Sequence, residues 1–437
     1  MAKLTTAAAA RTLDARGAAL ALLHSVLGRR LSLDEALEQG GFAGLPSGRD
    51  RAFARALAAT VLRRLGQIDA VVAACLEKPL TPKARAVENI LRLGIAQLLF
   101  LGTPAHAAVA ESVNLTDGHL RSYSGLVNAV LRRVAREGSG LLQGHDAAQL
   151  NTPPWLWQSW AAAYGEKDAR AIAAAHLDEA PLDLTPKSNG ETWAQTLGAE
   201  LLPTGSLRYR GDVAVSELPG YADGAWWVQD AAAALPARLL GDVRGQRVID
   251  LCAAPGGKTA QLAAAGAQVT AVDRSTGRMA RLGTNLQRLG LKAEGVVADA
   301  QLWRPERPVD ALLLDAPCSG TGTIRRHPDL ARLKTAEDVE RLSALQDRLL
   351  DAARQSLRSG GRLLYCVCSL QPEEGPRRID AVLARHGDLQ RLPVAPGELD
   401  GVAEFITPDG DLRTLPGAWA SRGGIDGFFA ARLVRNA

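Results

Sequence analysis

The sequence predicts a multi-domain protein: an all-α amino-terminal bundle, a small mixed α/β connecting domain, and a larger carboxyl-terminal α/β domain built on a mostly parallel sheet. Three observations predict it. The chain has 437 residues, and at roughly 150 residues per domain that length allows two or three domains. Residues 1–140 carry helical periodicity with no competing strand alternation. From Arg247 onward, short apolar runs alternate with helix-like stretches, the pattern of a sheet covered on both faces. The expected segments are therefore 1–140, 141–225 and 226–437.

In the first segment, Val127, Val130, Leu131 and Val134 follow the spacing of a buried helical stripe, and Arg132, Arg133 and Arg136 fall on the other side. A second helix begins near Asp50, where Phe53, Leu57 and Val61 recur every four residues among Arg51, Arg55, Arg63 and Arg64. These arginines suit an RNA-facing surface and equally suit the solvated faces of amphipathic helices.

A break follows at Gly138-Ser139-Gly140. From Asn151 to about Trp227 the chain is irregular and rich in tryptophan (Trp155, Trp157, Trp160, Trp193, Trp226, Trp227), with weakly alternating strands and helices. Beyond it, strand-like runs at 247–251, 268–272, 295–297, 311–314 and 362–367 are separated by helix-like segments such as 275–289 and 336–357.

Hydrophobic residues form 47% of the chain and charged residues 22%, ordinary values for a soluble protein with proper cores. A formal net charge of +4 permits a nucleic-acid partner without requiring one. The five cysteines (Cys75, Cys252, Cys318, Cys366, Cys368) are odd in number and widely spaced, which argues against a secreted disulfide framework. Arg11, Arg16 and His24 interrupt the Ala-rich start before a signal-type core can form. No run reaches ~18 uncharged apolar residues. The expectation is a cytoplasmic protein with no membrane partner.

The first strand-like run leads directly into Asp250-Leu251-Cys252-Ala253-Ala254-Pro255-Gly256-Gly257-Lys258-Thr259. Small residues after a first strand let a ligand approach the backbone, and the helix that follows presents free N–H groups. A Walker loop would need glycine where Cys252 stands, and the spacing of a dinucleotide fingerprint is missing, so ATP and NAD are disfavoured. The second run ends at Asp273-Arg274, where an acid can accept hydrogen bonds from both hydroxyls of a ribose. Asp299 closes the third run and suits an adenine edge. A glycine loop with acids ending two successive strands fits S-adenosylmethionine; the bland reading of both acids is a surface position.

Two further runs end in cysteine followed by serine: Asp315-Ala316-Pro317-Cys318-Ser319-Gly320 and Tyr365-Cys366-Val367-Cys368-Ser369. Strand ends are where α/β enzymes keep reactive groups. Together with the loop at 250–259, with Pro372-Glu373-Glu374, and with the closing Asp426-Gly427-Phe428-Phe429, these motifs resemble the RNA cytosine-5 methyltransferases over residues 220–437. The helical region, chiefly through Asn128-Ala129-Val130-Leu131-Arg132, resembles the NusB-like RNA-binding module. The combination is typical of bacterial enzymes that methylate cytosine in 16S ribosomal RNA.

The resemblance implies a NusB-like bundle and a Rossmann-like S-adenosylmethionine-dependent methyltransferase domain, with RNA, 16S rRNA first, as partner. It implies Cys368 as nucleophile, Cys318 as the group that assists product release, and Asp315 as the hydrogen-bond partner of cytosine N3 and its exocyclic amine. It places the cofactor on Cys252, Ala253, Ala254, Pro255, Gly256, Gly257, Lys258, Asp273, Arg274, Asp299 and Asp315. The chemistry accounts for the residue types. Cytosine C5 becomes a nucleophile only after a thiolate adds to C6. A free thiol is only about 3% ionised at pH 7, so positive potential is needed nearby, and Lys258 is a candidate for it or for ordering the loop.

Other readings stand beside these. Cys366, where the family usually has a small residue, would share a strand face with Cys368; a buried packing residue is the bland reading and a decoy nucleophile or redox pair the sharp one. Cys75 and Cys252 read as packing residues. A zinc site on Cys318, Cys366 and Cys368 lacks an obvious fourth ligand, His327 being a weak one, so no metal is expected. Arg325, Arg326 and His327 suit RNA contacts, or an exposed basic turn before Pro328. A tRNA substrate, or a non-catalytic RNA-binding assembly factor, are the alternatives in function. No protein partner is inferable.

Overall fold

The computed structural model describes residues 14–39, 45, 47–399 and 401–436, so Arg11 and most of the Ala-rich start lie outside the described residues. The chain divides into two compact units, Met1–Leu156 with His327–Leu333, and Trp157–Arg326 with Lys334–Ala437.

The first unit is helical: α1 (Ala15–Arg29), α2 (Leu33–Gln39), α3 (Gly48–Arg63), α4 (Leu65–Cys75), α5 (Arg85–Leu99), α6 (Ala105–Asn114), α7 (Ser124–Glu137) and α8 (Ala147–Asn151). Asp14 and Ser47 cap α1 and α3, their side chains accepting from Gly17 N (2.6 Å) and Asp50 N (3.0 Å). The stripe on α7 is buried as its spacing predicts, and packs with Leu22, Leu57, Ile68 and Ile90 in one core. On α3, Leu57 and Val61 are buried, while Phe53 is half-buried with the Arg16 guanidinium 5.4 Å from its ring. Arg132 and Arg136 are exposed, and Arg133 pairs with Glu137 at 2.9 Å. The segment His327–Leu333 belongs here: Leu33 N donates to Asp329 Oδ2 (3.0 Å) and Arg30 to Leu333 O (2.5 Å).

The second unit opens on α9 (Pro154–Ala175), interrupted at Gly165, where φ is +82°. A four-stranded antiparallel sheet follows, from β1 (Leu182–Pro186), β2 (Glu200–Leu201), β3 (Leu207–Tyr209) and β4 (Trp226–Val228), with α10 (Gly190–Leu197), in the order β2-β3-β1-β4. β4 lies past the expected boundary at 225 because Trp226 and Trp227 pair with Pro186 and Thr185 of β1 and are buried there.

The larger sheet is made of β5 (Arg247–Leu251), β6 (Gln268–Asp273), β7 (Glu294–Val297), β8 (Val309–Asp315), β9 (Leu357–Val367), β10 (Leu389–Arg391), β11 (Leu412–Thr414) and β12 (Phe428–Arg435). Its helices are α11 (Leu235–Leu239), α12 (Gly257–Ala264), α13 (Thr276–Leu289), α15 (Ala336–Ser356) and α16 (Pro376–Arg385); α14 (Leu330–Leu333) lies in the helical unit. The strand order is β10-β12-β9-β8-β5-β6-β7, with β11 on β12. The run from β7 to β9 is parallel, whereas β12 returns antiparallel to β9, β10 and β11. Alternate residues face opposite layers: Val248, Leu313 and Leu364 pack with Leu235 and Leu262, while Ile249, Leu312 and Leu363 pack with Leu349 and Leu350. Among the described residues no helix is long and apolar enough to cross a membrane.

Candidate active site

The parallel register brings the carboxyl ends of β5, β6, β8 and β9 to one edge, and the motif loops leave from there. After β5 the chain turns through Cys252, held at φ +60°, and Ala253 N donates to Val272 O at 3.1 Å. Ala254 N donates to Asp273 Oδ2 at 3.3 Å, and the Arg278 guanidinium donates to Ala254 O. Pro255 is exposed. Gly256 has φ +103°, and a Cβ there would meet Leu282 at 2.9 Å, so glycine is required for the loop to enter α12. Gly257 follows as the first residue of α12.

The acids around this loop are not equivalent. Asp273 is buried and its second oxygen takes Ser275 N at 2.9 Å, so it braces both the loop and the start of α13. Asp299 and Arg274 are exposed; Asp299, just beyond β7, holds Gln301 N at 2.9 Å. Asp250 is fully buried, accepts from Thr259 Oγ1 at 2.6 Å, and leaves Oδ1 without a hydrogen-bond partner. Burial pushes Asp250 up to about 7, against the Thr259 hydrogen bond, and the charge of Asp315 adds to the rise. Burial and then the charges of Asp315, Asp273 and Asp250 push the Cys252 thiol up to about 12, which makes it inert. Three carboxylates thus face one loop, with an orphaned buried oxygen among them. That donor set fits a ligand carrying a sulfonium and an ammonium group.

Lys258 crosses from α12 to Asp315, Nζ to Oδ2 at 2.8 Å, and lies 4.9 Å from the centre of the Phe428 ring. Burial opposes its charge, but the Asp315 carboxylate outweighs that and holds the ammonium above its ordinary range. Register sets Asp315 beside Cys366, whose thiol is buried and 3.6 Å from Asp315 Oδ1. Burial and then the Asp315 charge push Cys366 well up, so it is a neutral packing thiol.

Cys318 and Cys368 are brought together by the loops that carry them. Ala316 N donates to Cys366 O (2.9 Å), Gly322 N to Cys368 O (3.0 Å), and Gly427 N to Gly322 O (2.8 Å). A Cβ on Gly322 would stand 2.0 Å from Gly427 O, so this lacing needs glycine. The two Sγ atoms are 3.5 Å apart and both are partly accessible. The hydrogen bond with Cys368 comes first, then burial, in raising Cys318 well above the thiol range, so Cys318 is held as a neutral thiol.

Sequence reasoning missed the support behind these thiols. Glu374 is fully buried and accepts from Ser319 and Ser369, the residues after the two cysteines. The signal was there in the paired Cys-Ser dipeptides: two buried hydroxyls need one acceptor. The segment after Cys368 is held further by Tyr164 Oη on Leu370 O (2.6 Å), Trp160 Nε1 on Gln371 Oε1 (3.0 Å) and Arg413 on Ser369 O (2.6 Å).

The structure corrects the expectation for Arg325 and Arg326. Arg325 is buried, with Nε 2.6 Å from Asp426 Oδ1, and Arg326 reaches Asp426 Oδ2 (2.8 Å) and Asp230 Oδ2 (2.6 Å). With Asp183 and Arg208 (2.7 Å) they form an internal ion network, because buried guanidiniums must be paired. His327 has Nδ1 3.6 Å from Asp34 Oδ2, inside the helical unit. Among the described residues no group of His, Cys, Asp or Glu is placed to hold a metal ion.

Residues 237–434 match the family described as 16S rRNA methyltransferase RsmB/F, and residues 13–136 match the NusB family. The chain is 37% identical over 409 residues to ribosomal RNA small subunit methyltransferase B of Cronobacter sakazakii, covering 89% of this chain and 91% of that one. To the protein of the same name from Vibrio cholerae it is 36% identical, covering 97% and 98%. The chain belongs to the RsmB/F family of rRNA methyltransferases. Like that family it uses S-adenosylmethionine. The fold agrees with the crystal structure of PH0851 (TM-score 0.70, 23% identity, 96% of this chain and 98% of that chain). NSun6 from Pyrococcus horikoshii, solved with SFG, matches 65% of this chain and 98% of its own at a TM-score of 0.55 and 20% identity.

Proposed function

We propose that this RsmB/F member methylates C5 of a specific cytosine in 16S ribosomal RNA through a covalent bond between Cys368 and C6. The observation that carries the reading is the pair of thiols 3.5 Å apart, beside the Lys258–Asp315 pair, at the carboxyl edge of the parallel strands. When bound, S-adenosylmethionine supplies an electrophilic methyl group. Cys252, Ala253, Ala254, Pro255, Gly256, Gly257 and Lys258, with Asp273, Arg274, Asp299 and Asp315, would hold it in the acid-rich cradle.

The target base has to leave its stack to reach the thiols. Cys368 adds to C6 as the thiolate, with Cys318 donating its S–H toward the attacking sulfur. The electron pair arriving at N3 is met by the proton shared between Lys258 and Asp315, which gives Asp315 the donor that neutral cytosine N3 requires. Once C5 carries the methyl group, a base takes the C5 proton, the C6–S bond breaks, Cys368 departs as a thiolate, and the N3 proton returns to the Lys258–Asp315 pair. Cys318, still protonated, stabilises the departing sulfur by the same hydrogen bond. Cys366 takes no part.

The test is a pair of variants assayed with small-subunit rRNA and labelled cofactor. Cys368→Ala is expected to abolish methyl transfer. Cys318→Ala is expected to permit attack and accumulate an RNA–protein adduct that survives denaturing gel electrophoresis. Near-normal turnover in Cys368→Ala together with loss in Cys366→Ala would overturn the nucleophile assignment. Bisulfite sequencing of total RNA with and without the gene tests the substrate; a lost tRNA mark with an unchanged small-subunit profile would move the reaction to tRNA.

A further inference from the structure

Each thiol is followed by a serine, and both serines are buried with their hydroxyls on one carboxylate. Glu374 Oε2 accepts from Ser319 Oγ and Ser369 Oγ, each at 2.5 Å. Its Oε1 accepts from Ser319 N at 2.8 Å and Gln346 Nε2 at 3.2 Å. An ionised carboxylate offers about four lone-pair sites and no donor, and four donors fill it here. The Ser369 hydroxyl also accepts from Gln371 N at 3.0 Å and lies 3.1 Å from Ser319 Oγ, so the two serines meet each other as well as the carboxylate. Among the described residues no cation pairs with this acid; its carboxylate is met by the two serines and the glutamine, while Tyr365 Oη donates to its backbone O at 2.6 Å.

We infer that Glu374 is the positioning residue that holds the two cysteine corners in register, so that Cys318 stays within hydrogen-bond reach of Cys368. The inference rests on the roles given to those cysteines above. Glu374 grips two donors of Ser319 and one of Ser369, each a single residue from a thiol, so a shift of the carboxylate moves both corners. Neither the cofactor loop nor Lys258 touches it, so its loss falls on the geometry of the thiols. Misplacing reacting groups by about 1 Å costs on the order of 100-fold in rate.

The variant is Glu374→Gln in the full chain, which keeps the volume but turns an amide N–H toward donor hydroxyls. Two readouts are taken. The first needs no RNA: diamide takes two protons and two electrons from the thiols and becomes a hydrazine, while the Cys318–Cys368 disulfide forms. Its rate is expected to fall by about tenfold or more in the variant. The second is methylation, where kcat is expected to fall by roughly 100-fold with KM for S-adenosylmethionine within about twofold. An unchanged rate of disulfide closure, or a kcat within about threefold of the parent, overturns the inference. If the variant does not fold, Ser369→Ala removes one of the four donors to the Glu374 carboxylate and is read by the same criteria. Retained turnover in Cys368→Ala would instead defeat the proposed mechanism, and disulfide closure would still decide the role of Glu374.

Discussion

Asp426 and Glu374 are both buried acids beside the loops that carry Cys318 and Cys368, and they are satisfied by opposite means. Asp426 meets the guanidiniums of Arg325 and Arg326, which also answer Asp230. Glu374 meets hydroxyls and amides only. Burial pushes both carboxyls up, Asp426 further through the charge of Asp230, and Glu374 against the pull of its serine hydrogen bonds. The difference lies in what each charge does next. Guanidiniums cancel the field of Asp426, leaving a fastening at the end of the loop. Dipoles leave the field of Glu374 in place, where it adds to the Cys368 hydrogen bond and to burial in keeping Cys318 protonated.

The comparison can be broken most forcefully at the ion network. Asp426→Ala leaves Arg325 and Arg326 with Asp230 as their shared close acid and is expected to cost about 3–5 kcal/mol in urea unfolding of the full chain. A loss below about 1 kcal/mol would mean that Asp230 suffices alone, and the contrast would dissolve. Glu374→Gln, by contrast, should weigh on turnover more than on stability.

A second, somewhat smaller effect sharpens the role of uncancelled acids. The folded pKa of Asp250 lies at about 7, above the value of about 4 expected of the unfolded chain. The folded state therefore binds the extra proton between those limits, and stability falls as pH rises through that window. Asp250→Asn, which can still accept from Thr259, should flatten this slope. It should gain on the order of 3 kcal/mol over the parent at pH 8 and almost nothing near pH 4, measured by urea unfolding at both. An unchanged slope would show that Asp250 ionises freely in the fold.

The smallest effect is expected one residue from Glu374. Glu373 pairs with Arg377 at 2.6 Å on the surface. Arg377→Ala should change stability by less than about 0.5 kcal/mol in the same unfolding assay, because solvent screens the pair. A larger loss would place Arg377 among the supports of the thiol corner.

Much of the α/β unit was legible in the chain because a parallel strand buried on both faces reads as a short apolar run, and the runs at 247–251 and 268–272 became β5 and β6. The meeting of Cys318 and Cys368 followed from equivalent strand ends on neighbours β8 and β9. What stayed hidden was mostly partner choice. Arg325 and Arg326 look the same in sequence whether they face RNA or a buried aspartate, and the fold brings Asp230 and Asp426 to them from distant segments. The carboxylate of Asp273, expected on a ribose, also takes one N–H from Ala254 and one from Ser275, contacts that no spacing announced. The reversal of β12 was equally silent, since an apolar run carries no direction. Trp160 read as irregular aromatic content until α9 placed it on Gln371, with Tyr164 on Leu370.

The segment His327–Leu333 gives the chain a splice that no single cut respects. The helical unit's first stretch ends at Leu156, yet Leu33 N and Arg30 find their acceptors on Asp329 and Leu333, which follow the Cys318 loop in the chain. A gene fragment ending at residue 156 would encode a module with a piece of its own surface missing. Its partner fragment would carry that piece as a stray loop. The two units are therefore interleaved along one thread, and a single cut at residue 156 separates neither cleanly.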